Sequence, residues 1–210
     1  TYFENYEAIR QAQDDLGDDG IVLSAQERSP LQRLILEYTG LERFCLDYYD
    51  HRDLVEEVLL AIEKNDRINY HIGINSPAEV IWAPDNIAED IANPKLYQKY
   101  LLAFYNDQAR LIHKSRKIYA VHIDGRVQQL ADLISQTDID VVDSFTLPEG
   151  GGNLPLMQAR ETWRNKTIVA NIPASLAFRD SDYIRKFVKK LKKEVAPQNN
   201  FMLQYSEDIP

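Results

Sequence analysis

Short β-prone runs, separated every time by a stretch with helical periodicity, constrain this sequence more than any other feature in it. The β-prone runs lie at residues 20–25, 79–83, 117–123, 140–145, 167–172 and 200–205. Between them, HRDLVEEVLLAIEKN at 51–65 sets Leu54, Val55, Val58, Leu59 and Ile62 on one helical face. The stretch 93–115 opens on Asn93 as a cap and Pro94 at the first helical position, where its missing N–H costs nothing. Residues 126–136, 156–165 and 180–195 complete the helical set. Strands joined by helical crossovers run parallel, so the alternation predicts an α/β fold built on a parallel sheet. No linker, low-complexity tract or repeat interrupts it, which predicts a single domain over residues 1–210.

Polar residues at the strand ends distinguish an open doubly wound sheet from a barrel. The ends read Gln26, Glu27, Arg28, then Asp85 and Asn86, His122 and Asp124, Asp143, Asn171, and finally Ser206, Glu207 and Asp208. A doubly wound sheet needs chemistry only at its switch point, whereas a (β/α)8 TIM barrel gathers side chains from the C-terminal ends of many strands. The expectation is therefore a TIM barrel, of which this chain supplies about six strands. Two β/α units before the first strand and one helix after the last are expected to lie outside it.

A net charge of -9 argues against non-specific nucleic-acid binding, which needs a basic surface to displace counterions. The basic cluster at 185–193 is interleaved with Phe187, Val188 and Leu191 and reads as the solvated face of an amphipathic helix. No apolar run spans a bilayer and no basic-then-apolar leader opens the chain, so a cytoplasmic protein without a membrane partner is expected. The single Cys45 excludes an intramolecular disulfide and a thiolate-rich zinc site, and it reads as a packed core residue.

In VHIDG, strand alternation sets Ala120, His122 and Asp124 on one face and Tyr119, Val121 and Ile123 on the other. The bulky apolar set suits the helix layer, which turns His122 into the barrel mouth as a ligand, general acid/base or orienting donor. Asp124 can orient His122, ligate a metal or cap the helix that follows. Asp85, Asp143 and Asn171 are candidate substrate-binding residues, with turn formation as the plainer reading of Asp85 and Asn171. Gln26 and Arg28 are candidates to grip an anionic group. His122 with Glu207 and Asp208 would offer nitrogen and oxygen ligands to zinc or another divalent cation. Trp82 is read as packing, and Gly150 to Gly152 as a flexible segment able to cover the site.

The series YDHRDLVEEVLLAI, VIWAPDNI, NPKLYQKYLLAFY, VHIDGRVQQLADLI, DVVDSFTLPEGGGNLPLMQARETW, IVANIPASL and FMLQYSEDIP resembles the uroporphyrinogen decarboxylase superfamily in order and spacing. The likeness covers nearly the whole chain, from about the third β/α unit of the family barrel to the eighth. Departures choose between branches. No histidine follows the last strand in QYSEDIP, and SAQERSP replaces the small apolar loop of the decarboxylases after the third strand. Both count against tetrapyrrole decarboxylation. Asp124 stands where the thiol-methylating members carry the cysteine of a His-x-Cys zinc motif. HIDG together with SEDIP looks instead like the methyltransferase-like branch.

That resemblance implies a methyltransferase acting on a small methoxylated compound, with a corrinoid on a partner protein as methyl acceptor. It also points to a homodimer. The alternatives are uroporphyrinogen decarboxylation and a non-catalytic binding protein derived from the barrel.

Overall fold

The computed structural model describes residues 3–197 and 199–205. Six strands form one sheet: β1 (Leu23–Ala25), β2 (Val80–Ile87), β3 (Ile118–Ile123), β4 (Val141–Thr146), β5 (Thr167–Asn171) and β6 (Phe201–Gln204). All neighbouring pairs are parallel and their order follows the sequence, β1 to β6. Among the described residues the chain never reverses its direction of travel across the sheet, so they form no switch point of the doubly wound kind. Successive right-handed crossovers in one direction deliver every helix to the same face, and the twist then curls the sheet around the other. The result is an arc of TIM-barrel-like α/β structure. Among the described residues, β1 and β6 end the sheet and do not pair with each other.

The helices are α1 (Glu7–Leu16), α2 (Pro30–Arg33), α3 (Leu41–Asp50), α4 (Arg52–Asn75), α5 (Pro94–Leu96), α6 (Leu102–Lys114), α7 (Ala131–Ser135), α8 (Leu156–Thr162) and α9 (Ser181–Glu194). A π-helical segment, Tyr97–Leu101, joins α5 to α6, and the Asn93 side chain caps this run by accepting from Lys95 N and Leu96 N. Helix α4 runs ten residues past the stretch predicted to be helical, because Asp66, Tyr70, Gly73 and Ile74 continue its buried stripe. Within it Val55, Leu59 and Ile62 are buried, whereas Leu54 and Val58 are exposed. Cys45 is exposed on α3, which corrects the expectation of a core thiol; Phe44 takes the buried position instead. No helix among the described residues is long and apolar enough to cross a membrane.

The core lies between the sheet and the helices. Ile81 and Ala83 of β2, Tyr119, Val121 and Ile123 of β3, and Val142 and Phe145 of β4 are all fully buried there. Two bonded lysines tie the strand entrances together. Lys117, just before β3, donates to the carbonyls of Ser76 and Ala78, and Lys166, just before β5, donates to Thr137 O at 2.6 Å and Ile139 O at 3.0 Å. In each case a lysine satisfies carbonyls of the loop that enters the preceding strand, which hydrogen-bonded burial of an ammonium requires.

Two bulges break the alternation. Pairing of β2 with β3 shifts register between Ala83 and Ile87, where Asn86 has φ 52°, and pairing of β4 with β5 shifts between Val142 and Phe145, where Ser144 has φ 64°. The second bulge keeps Val142 and Phe145 both in the helix layer, although they lie three positions apart.

Candidate functional site

The sheet's inner face carries a polar cluster near the C-terminal strand ends. His122 and Asp143 are direct cross-strand partners, and so are Asn171 and Gln204. His122 Nδ1 lies 3.3 Å from Asp143 Oδ2. The same oxygen accepts from Trp82 Nε1 at 2.8 Å. Asp143 Oδ1 accepts from Gln204 Nε2 at 3.2 Å, and that amide also reaches Asn171 Oδ1 and Ser144 Oγ, each at 2.9 Å. Asn171 Nδ2 donates in turn to Ser144 O at 3.0 Å. A continuous polar network thus crosses β2 to β6, with His122 facing Asp143 at its centre.

Asp124, one residue past the end of β3, lies on the other side of the imidazole, with Oδ2 3.7 Å from Nε2. That separation makes an ion-pair contact rather than a direct hydrogen bond. Burial pulls the imidazolium down, but the adjacent Asp124 and Asp143 carboxylates outweigh it and push the His122 pKa up to about 9. For Asp143, burial opposes ionisation, yet His122, Trp82 and Gln204 together hold its carboxyl below the ordinary carboxylate range. The pair is therefore an imidazolium against a carboxylate at neutral pH.

Bonds between loops support this end of the sheet. Glu89 beyond β2 accepts from Asn153 Nδ2 at 2.8 Å and Gln129 N at 2.9 Å, and it pairs with Arg126 at 3.4 Å. Asn153 Oδ1 accepts from Val127 N and Gln128 N, so Asn153 opens the helical turn after β3, a task for which Asp124 was one candidate. Gly125 N donates to Thr146 Oγ1 at 2.8 Å. Gly150 to Gly152 form a bonded turn rather than a loose cover. Gly150 N and Gly152 N both donate to Leu147 O, and a Cβ on Gly152 would stand 2.0 Å from Thr146 O.

Three candidates from the sequence are brought elsewhere. Asp85 is fully buried on the helix side, accepting from Ser29 N at 2.7 Å and from the Tyr105 hydroxyl; burial pushes its carboxyl up despite these donors. It shares the face of Ile81 and Ala83, so a substrate on the inner face does not meet it. Gln26 is buried too and donates to Tyr119 Oη at 3.3 Å, in the same layer. Arg28 pairs with Glu37 at 3.2 Å. His122, Asp124, Asp143 and Asn171 do converge. Glu207 and Asp208 lie outside the described residues, and among the described residues no group of three His, Cys, Asp or Glu is arranged to hold a metal ion.

Trp82, read from the sequence as packing, belongs to the cluster through its bond to Asp143, and so do Gln204 and Ser144, which the sequence did not single out. Trp82 was legible: it alternates with Ile81 and Ala83, which places it on the inner face beside His122. Ser144 was not, because only a bulge brings it there.

No family model and no curated protein sequence matches the chain. Among solved structures, a methyltransferase from Methanosarcina mazei shares its fold, with a TM-score of 0.75 over 98% of this chain at 17% sequence identity. The chain spans 58% of that protein's length. At this identity the likeness establishes the architecture: this chain has the fold of a large part of a methyltransferase.

Proposed function

We propose that this chain carries the acid group of a methyltransferase that demethylates a small methoxylated compound. The observation that carries the reading is the His122 and Asp143 pair, on the inner face at the C-terminal strand ends, where barrels place their chemistry. The resemblance to the methyltransferase-like branch and the fold shared with a methyltransferase support it. A methoxy carbon resists displacement while an alkoxide or phenolate would have to leave. His122, protonated at neutral pH, donates its proton to the ether oxygen as the carbon–oxygen bond breaks, so the leaving group departs as a neutral alcohol. Asp143 holds the imidazole through Nδ1 and balances its charge, which leaves Nε2, on the Asp124 side, as the proton donor. The acceptor that fits this chemistry is a reduced corrinoid on a partner protein, which takes the methyl group as a cation equivalent.

Decarboxylation of a polycarboxylic tetrapyrrole is disfavoured by electrostatics. Arg28 is engaged by Glu37, and Arg126 by Glu89 and Asp90. The cluster itself sets two carboxylates against one imidazolium. The reading is tested anaerobically with cob(I)alamin and a panel of methoxylated aromatic and aliphatic compounds, following the cobalt spectrum. Methylation with at least one donor is expected; a folded protein that methylates cobalt with none of them overturns the reading.

A further inference from the structure

We propose that Gln204 is a positioning residue that fixes the orientation and charge of His122 by locking the Asp143 carboxylate, and that the left-handed backbone at Ser144 makes this lock possible. The proposal rests on His122 being the acid of the reaction, but its test does not.

Gln204 has two N–H groups and three acceptors within reach: Asp143 Oδ1 at 3.2 Å, Ser144 Oγ at 2.9 Å and Asn171 Oδ1 at 2.9 Å. Its orientation is determined, because the Asp143 carboxylate and Asn171 Oδ1 only accept, so the NH2 end must face them. Asn171 is likewise determined, since its own NH2 donates to Ser144 O. Asp143 is then held at both oxygens, Oδ1 by Gln204 and Oδ2 by Trp82. A carboxylate bonded at both oxygens from opposite sides cannot rotate, so Oδ2 stays directed at His122 Nδ1.

Ser144 supplies the geometry. A serine at φ 64° is uncommon and unfavourable for a residue with a Cβ, and such conformations persist where surrounding bonds over-determine them. Here the over-determination is visible: the Ser144 carbonyl is turned to Asn171 and its hydroxyl to Gln204. Among the described residues, the titratable groups facing His122 are Asp143 from β4 and Asp124 from the end of its own strand, with Trp82 the neighbour from β2. Of these carboxylates, Asp143 is the one that Gln204 holds.

The experiment is a pH titration of the His122 ring by 1H–15N correlation NMR in the wild type and in Gln204→Leu, with circular dichroism to confirm the fold. Freeing Asp143 to rotate weakens the pair, and the His122 midpoint is expected to fall by at least half a pH unit. An unchanged midpoint in folded Gln204→Leu overturns the proposal. If the leucine variant does not fold, Gln204→Met, which keeps the length and nearly the volume of the side chain, is read by the same criterion. Failure of methyl transfer in the wild type would overturn the functional reading and leave this titration standing as a separate result.

Discussion

His122 Nδ1 and Asp143 Oδ2 face each other at 3.3 Å across adjacent parallel strands, in direct register. The pair holds a positive charge on an inward-facing imidazole and gives stability a defined pH dependence. His122 is raised from its ordinary 6.5 to about 9, so its contribution is complete below about pH 6.5 and is lost as pH rises through about 9. The upper bound is about 3 kcal/mol from the size of the shift, reduced by partial solvent access. Asp143 is lowered, so its contribution is present above its unfolded value and is lost as pH falls through its folded one. Urea unfolding of the wild type and His122→Gln between pH 6 and pH 10 checks the basic side: their difference should shrink across pH 7 to 9.5.

Asp85 is expected to matter for folding. Asp85→Ala removes the acceptor for Ser29 N and the Tyr105 hydroxyl, both in the sheet-to-helix layer, and leaves buried donors without partners. A loss of roughly 2–4 kcal/mol is expected by equilibrium unfolding. Tyr105→Phe, which removes one donor and keeps the ring, should cost less, about 1 kcal/mol.

Lys166→Met separates charge from packing at the opposite end of the sheet. The ammonium is buried, and burial holds its pKa below the usual lysine value while two carbonyls accept from it. Methionine restores the apolar stem but strands Thr137 O and Ile139 O, and a loss of roughly 1–3 kcal/mol is expected. The nearby cleft of about 520 Å3, lined by His113, Asp140 and Lys166 among others, lies at the N-terminal strand ends, so this substitution should leave any chemistry at His122 unchanged.

Gly152→Ala tests the turn after β4. With Thr146 O only 2.0 Å from the new Cβ, the backbone must move, and Asn153 would be carried away from Val127 N and Gln128 N. A destabilisation of about 2 kcal/mol or more is expected, measured by thermal unfolding.

The strand and helix pattern was legible because burial and periodicity agree wherever strands are regular. β3 is the clearest instance: Tyr119, Val121 and Ile123 lie in the core and His122 faces inward, as alternation requires. Alternation also held the answer for Asp85, which falls in step with Ile81 and Ala83 and so faces the helices; its place at a strand end outweighed that signal. Gln26 and Arg28 follow a strand of three residues, too short for a periodicity to assign their direction. The bulge at Ser144 and the reach of Gln204 depend on contacts between strands far apart in the sequence, and no local pattern in VVDSFT or FMLQ encodes them.

In the proposed reaction, protonated His122 donates the proton that lets the methoxy oxygen leave. That step is tested by the rate of cobalt methylation in wild type and His122→Ala, with the donor that reacts best, across pH 6 to pH 10. The wild-type rate is expected to fall as pH rises through about 9, and at pH 7 folded His122→Ala is expected to be slower by roughly 100-fold or more. A folded His122→Ala that methylates cobalt at the wild-type rate, with the same pH profile, would contradict it.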